Sequence, residues 1–409
     1  MSKDINIFSP FALVLIYAVC VFTPLIMQYS FLVPLLVGTL FSLVTLPKIF
    51  SQKEKLFTIF LILIIVSFTY KIVGISTGDI GNYGNRLSWF YAVWMSFYMW
   101  QYRTEKERKL LAIVISAVFL PNLIYTAYFH YINPEFSAIY QTLDDSIYTY
   151  GKVNIGSTSV TIAALFYTLF LLLYVRINRY KLSNAQYRSL CIIEILLLYY
   201  IIVWGDSTTT TLTLFVSVLF IFFQSRKTVI GPVLMLGAGI LIYNMYQDDI
   251  VAFCRNYIND RFADRLMAMS HASSGNTTDD DDAILSRFPM LMFDIEMWFH
   301  SLFTLLFGNG YHTFTTGNVL SDTIANKAGG HSAIFDTIAR YGLLGLLLVV
   351  ALCKELRLWL KNNIPNSRYA AVILAVIIFS NIMNVTLAAN VLFIICFFFP
   401  FLKSEQNYD

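Results

Sequence analysis

What most constrains this chain is a recurring pattern, blocks of about 16 to 22 apolar residues separated by short polar stretches. An α-helix of that length roughly matches the hydrocarbon core of a bilayer, about 30 Å thick. In water every such block would need protein to cover it. The composition argues against that, because 57% of the residues are hydrophobic and only 13% are charged, whereas soluble domains carry about 25% charged residues. The sequence therefore predicts an all-α polytopic membrane protein with about twelve transmembrane helices. Spans are expected near 9–27, 31–47, 56–73, 86–101, 109–127, 157–175, 189–204, 210–224, 229–246, 334–353, 369–385 and 388–402. On this reading residues 1–246 hold nine spans, residues 247–333 form a large outer loop, and residues 334–409 hold the last three spans and the C-terminus. The first block lacks a small-residue cleavage site and is followed at once by another, so it is expected to be the first helix. Cys20, Cys191, Cys254, Cys353 and Cys396 lie mostly within or beside apolar blocks, without metal-type spacing, and are expected to be structural.

Twelve spans place both termini on one side and sort the loops into two sets. One set carries about 19 of the 28 Lys and Arg residues, among them Lys48, Lys53, Lys55, Arg103, Arg108, Arg179, Lys181, Arg226, Lys227, Arg357, Lys361 and Arg368. Basic loops stay in the cytoplasm, so both termini are expected there. The other set holds most acidic residues, including Asp144, Asp145, Asp248, Asp249 and the run Asp279 to Asp282, and all five histidines, His130, His271, His300, His312 and His331. Chemistry is thus expected on the outer face. The inner loops account for the net charge of +3, and there is no nucleotide-binding glycine motif, nucleic-acid signature or internal repeat. No cofactor, metal or nucleic-acid partner is implied. The aspartate run reads as a solvated loop, and Glu194, the one clear carboxyl inside a block, lacks the second member that a proton relay needs.

Two outer segments are long, residues 128–156 and residues 247–333. A loop of the second kind carries function or structure of its own. Within SRFPMLMFDIEMWFHSLFTLLFGNG one helix is expected, capped by Ser286, with Pro289 in its first turn and Gly308 and Gly310 at its end. The preceding SHASSGNTTDDDD reads as flexible and polar. Where the loop returns to the membrane the chain reads GGHSAIFDTIARYGLLGLLL, so that His331 and Ser332 are followed by nine residues, then Gly342, two residues and Gly345. On one continuous helix, offsets of 11 and 14 residues bring both glycines within about 40° of His331. Glycine on that face admits a neighbouring helix or lipid head group, and a histidine at the mouth offers a base or a donor near neutral pH. An interfacial histidine capping a helix that packs through small residues would leave the same pattern. Asp336, about 140° from His331 around such a helix, is not expected to be its partner.

The arrangement resembles the signature of the O-antigen ligase and polymerase superfamily. That signature is a histidine, then Ser, Asn or Gln, nine residues, and Gly-x-x-Gly, at the end of a large outer loop. Ser286 and Arg287 opening a helix, Trp298 downstream, and the turn Gly308-Asn309-Gly310 match further features of the family. The resemblance implies a GT-C-like helical fold with a large periplasmic loop, in the bacterial plasma membrane. It implies transfer of a glycan from an undecaprenyl diphosphate carrier to an acceptor hydroxyl on the outer face, without a metal and with inversion at the anomeric carbon. Implied partners are the undecaprenyl-diphosphate-linked glycan, an acceptor glycan or lipid A core, membrane lipids, and flippase and chain-length regulator proteins.

A diphosphate needs cations that fork onto its oxygens, which arginine does best. Arg287 and His331 are the expected catalytic residues, and Arg287, Arg265, Arg261 and Arg86 the expected diphosphate ligands. Arg261 and Arg265 share a face if NDRFADRLMAM is helical. These loop arginines equally suit pairing with Asp260, Asp264 or lipid head groups, and Arg86 and Lys71 equally suit anchoring at the membrane interface. The expected activity is polymerisation of carrier-linked repeat units of an O-antigen, capsule or exopolysaccharide. Ligation of glycan to lipid A core is the alternative within the family, disfavoured because WGDSTTTTLTLF has Thr208 or Thr209 where many members carry an arginine. A secondary transporter is the alternative of another class. Transporters place charges near the midplane on broken helices of two related halves, and neither sign is present.

Overall fold

The computed structural model describes residues 9–23, 32–73, 80–132, 158–204, 208–223, 237–239, 241–243, 245–257, 263, 267, 287–309, 332–383 and 388–404. No strand occurs among them. In chain order the helices are α1 (Pro10–Phe22), α2 (Leu32–Val44), α3 (Leu46–Phe50), α4 (Lys55–Ile72), α5 (Ile80–Tyr102), α6 (Glu105–Ile132), α7 (Thr158–Asn178) and α8 (Asn184–Tyr199). They continue as α9 (Thr208–Phe223), α10 (Gln247–Tyr257), α11 (Arg287–Phe299), α12 (Leu302–Phe307), α13 (Ala333–Asn363), α14 (Ser367–Met383), α15 (Ala389–Phe393) and α16 (Phe401–Ser404). The coil widens to a π-helix at Tyr200–Trp204, after α8, and at Ile394–Phe398, after α15. Among the described residues three helices are long and apolar enough to cross a membrane, Glu105–Tyr128, Val160–Asn178 and Asn184–Val203. Shorter apolar helices stand at most of the other expected spans. The expected span 229–246 falls largely outside the described residues.

Local capping sets several of these helices. Ser9 accepts a hydrogen bond from the Ala12 N–H at 3.2 Å, with Pro10 in the first turn where its missing donor is not needed. Before α6 the Thr104 N–H donates to Glu107 and the Glu107 N–H donates back to the Thr104 hydroxyl. Ser183 and Gln186 repeat the device before α8. These reciprocal capping boxes satisfy donors that a helix start leaves open.

By internal contacts the chain forms two compact units, residues 1–194, 354–365 and 386–409 in one, and residues 195–353 and 366–385 in the other. The first has an aromatic interior in which Phe57 and Phe41 pack around Trp94, Phe22 lies between Phe119 and Phe393, and Phe170 packs on Phe398. Two of its buried polar side chains tie neighbouring helices together: the Tyr17 hydroxyl donates to the Ser88 carbonyl at 2.8 Å and the Trp94 indole donates to the Thr45 hydroxyl at 2.9 Å. Gly38 admits the ring of Tyr91, which a Cβ there would overlap. Many of its outward side chains are apolar, among them Leu36 at 68%, Ile113 at 65% and Ile124 at 67% exposure. An aromatic core inside an apolar coat suits lipid better than water. At one end Lys48 sits over the rings of Tyr98 and Tyr102, Arg103 over Tyr98, and Arg108 over Trp100. Two loops of the basic set thereby meet at the same end.

In the second unit α9 packs along α14, and α11 packs on α12. Val251 and Cys254 of α10 form a small apolar cluster with Ala263. Cys254 is a free thiol, as are the other four cysteines, and burial pushes its pKa upward. A buried, protonated thiol is inert.

Candidate functional site

The single helix expected between Ser286 and Gly308 is two. α11 ends at Phe299, and Ser301 starts α12 by accepting from the Thr304 N–H at 3.1 Å while its own N–H donates to the Thr304 hydroxyl at 2.9 Å. The indole of Trp298 donates to the Leu305 carbonyl at 3.0 Å and holds the two helices in a tight corner. That corner presents Gly308 and Asn309. Gly308 has φ 75° and ψ −178°, a conformation open essentially to glycine alone. Asn309 is buried, its N–H donating to the Ala339 carbonyl at 2.8 Å and its carboxamide to the Met297 carbonyl at 2.8 Å.

The stretch after Ser332 also departs from the straight helix expected over 334–353. Gly342 has φ 60° and ψ −138°, so α13 bends there into arms of residues 333–341 and 343–363. The bend is sharp enough that a Cβ on Gly345 would overlap the Thr337 carbonyl on the other arm. A Cβ on Gly342 would lie 2.6 Å from the Gly308 nitrogen and 2.7 Å from the Leu306 carbonyl, and one on Gly308 would overlap the backbone of Arg340. The two glycine motifs, 34 residues apart, thus interlock backbone to backbone. The continuous helix expected to carry Gly342 and Gly345 on one face breaks at Gly342, and His331, expected on that same face, lies outside the described residues. What the glycines admit is backbone of this chain rather than a neighbouring span or a lipid head group.

Ser332 opens the first arm and is fully buried. Its hydroxyl accepts from the Phe335 N–H at 3.2 Å and donates to the Asn381 carbonyl of α14 at 3.1 Å, while its N–H donates to Asp336 at 3.3 Å. Asp336 is buried and lies 3.8 Å from the guanidinium of Arg340. The backbone next to His331 is therefore held from three sides. The side-chain oxygen of Asn381 is buried and has no hydrogen-bond partner among the described residues. Sequence reasoning missed Asp336, Arg340 and Asn381. A straight helix turned Asp336 away, and the only signal for Asn381 was an amide inside an apolar block.

Of the residues singled out from the sequence, His331, Arg261, Arg265, Asp279 to Asp282, His271 and His312 lie outside the described residues, as do the side chains of Lys71, His130, Thr208 and Thr209. Arg287 is described in its backbone alone, as the first residue of α11. Arg86 belongs to the first unit. Because α5 begins at Ile80 rather than at residue 86, Arg86 falls in its second turn, buried, and donates to the Ser67 hydroxyl, with its guanidinium 5.9 Å from the Trp89 ring. Those contacts fit an internal tie better than an interfacial anchor. Glu194 is buried, and neither carboxyl oxygen has a hydrogen-bond partner among the described residues.

The chain matches no protein-family model and no curated protein.

Proposed function

We propose that this chain is a membrane glycosyltransferase that polymerises undecaprenyl-diphosphate-linked repeat units, of an O-antigen, capsule or exopolysaccharide, on the outer face of a bacterial plasma membrane. On this reading twelve helices cross the bilayer, both termini are cytoplasmic, and the segment 247–333 is periplasmic. The observation that carries it is the interlock of Gly308-Asn309 with Ala339 to Gly342. Those are the two glycine stretches that the superfamily signature pairs in sequence, and their packing gives the pairing a physical reason.

The acceptor hydroxyl attacks the anomeric carbon as the bond from that carbon to the diphosphate breaks. The hydroxyl proton passes to the imidazole of His331, and the electron pair leaves with undecaprenyl diphosphate. Arg287, with Arg261 or Arg265, stabilises the charge that develops on the leaving oxygens. Asp336 and Asn381 hold Ser332, the residue that follows His331 in the chain. Gel analysis of surface glycan from a gene deletion tests the reading. Retention of a single capped repeat with loss of long chains is expected. Loss of every repeat from the lipid A core, with carrier-linked polymer accumulating, would make the enzyme a ligase, and unchanged long chains would remove both readings.

A further inference from the structure

The corner between α11 and α12 leaves Phe299, Leu302, Phe303 and Leu306 exposed, Leu302 at 73%, while its polar groups turn inward. The Thr304 hydroxyl donates to the Trp298 carbonyl at 3.1 Å, the Trp298 indole to the Leu305 carbonyl at 3.0 Å, and the Asn309 carboxamide to the Met297 carbonyl at 2.8 Å. In water such carbonyls could be left to solvent, whereas in lipid the protein itself must satisfy every irregular stretch of backbone. The interlock fixes the depth of the corner, because Gly308 meets Gly342 of α13 backbone to backbone. Gly342 lies nine residues beyond Ala333 and eleven before Cys353, about 14 Å and about 16 Å at about 1.5 Å per residue. Together these match a hydrocarbon core about 30 Å thick. Were the first arm to lie flat on the surface, residues 343–353 alone would cross before Lys354, Glu355 and Arg357, at about half the required length. A crossing by α13 therefore puts Gly342, and the corner locked to it, inside the core.

We propose that the corner of α11 and α12 is a re-entrant element that seats Phe299, Leu302, Phe303 and Leu306 among the acyl chains of the outer leaflet. Lys354, Arg357 and Lys361 follow the second arm of α13 and hold that end in the cytoplasm, so the corner enters from the outer side. On the first arm Asp336 and Arg340 pair at 3.8 Å, which is how charges are held within a bilayer. Lipid then covers the apolar tip, and one stretch of the segment 247–333 lies in the membrane rather than in the periplasm. The inference rests on the crossing of the bilayer by α13 proposed above, and not on the glycan chemistry.

The test uses the full chain reconstituted in vesicles of phosphatidylethanolamine and phosphatidylglycerol. The vesicles carry a trace of phosphatidylcholine with a photoreactive diazirine either halfway along one acyl chain or in the head group. After irradiation, adducts are mapped to peptides by mass spectrometry. The acyl probe should label residues 299–306 and, on α13, residues 343–353, where Leu347 and Val350 are exposed. On residues 299–306 the head-group probe should leave fewer adducts than the acyl probe. Acyl adducts on 343–353 with none on 299–306 would put the corner outside the bilayer and overturn the proposal while the crossing stands. Labelling of 299–306 by the head-group probe alone would do the same. Absence of acyl adducts from 343–353 would remove the crossing itself, and the re-entrant corner with it.

Discussion

Replacing Gly342 with alanine probes the interlock directly, because alanine changes nothing but a methyl group. Two costs add. A non-glycine residue held at φ 60°, ψ −138° is strained by about 1–3 kcal/mol. The methyl group also lies 2.6 Å from the Gly308 nitrogen and 2.7 Å from the Leu306 carbonyl. Both are backbone atoms, so relief requires the Gly308-Asn309 turn to move away from the arm, at about 1–3 kcal/mol for overpacking. The sum, about 2–6 kcal/mol, converts at about 2–4 °C per kcal/mol for a domain of this size into a melting temperature lower by about 10 °C. Thermal unfolding of the purified protein in detergent, followed by tryptophan fluorescence, reads this shift. Gly239→Ala is the control, since nothing lies within 4 Å of its added methyl group, and it should melt within about 2 °C of wild type. If Gly342→Ala also melts within about 2 °C of wild type, the two motifs are not locked together and the account of both glycines fails.

Further outcomes follow from the same geometry and from the proposed chemistry. Asp336→Ala strips the Ser332 N–H of its acceptor and should cost about 1–3 kcal/mol, read as a lower denaturation midpoint. Asp336→Asn keeps an oxygen there and should cost less, and the reverse order would argue against the cap. Arg287→Ala should abolish glycan transfer at normal expression while Arg287→Lys keeps a part, because a point charge lacks the fork. Full activity in the alanine variant would leave the phosphate role without support. His331→Gln, measured at saturating donor, should lose about 10²-fold or more in turnover if the imidazole accepts the proton; wild-type turnover in His331→Ala would end its assignment to the site. A cysteine introduced at Ser273 should react with an impermeant reagent from the periplasmic side, and labelling from the cytoplasmic side alone would invert the topology.

The helices could be read from the chain because their causes are local. Block length and apolarity predicted the regions that became α1, α6, α7, α8 and α14, and short-range pairs such as Thr104 with Glu107 mark where such helices start. The break at Ser301 was legible too, since Ser301 and Thr304 cap each other over three residues, but the apolar run continuing through it concealed the signal. The need for glycine at 308, 342 and 345 was visible in the spacing, and the reason for it was not. A glycine inside a helical pattern reads alike whether it lies on a straight face or turns the chain at positive φ. Only contact with backbone more than thirty residues away decides between them. That contact bends α13 at Gly342, brings Thr337 against Gly345, and carries Ser332 to Asn381 of α14. Asp336 went unrecognised for the same reason: one straight helix through His331 points it away, whereas a helix that begins at Ala333 turns its carboxylate back onto the Ser332 N–H.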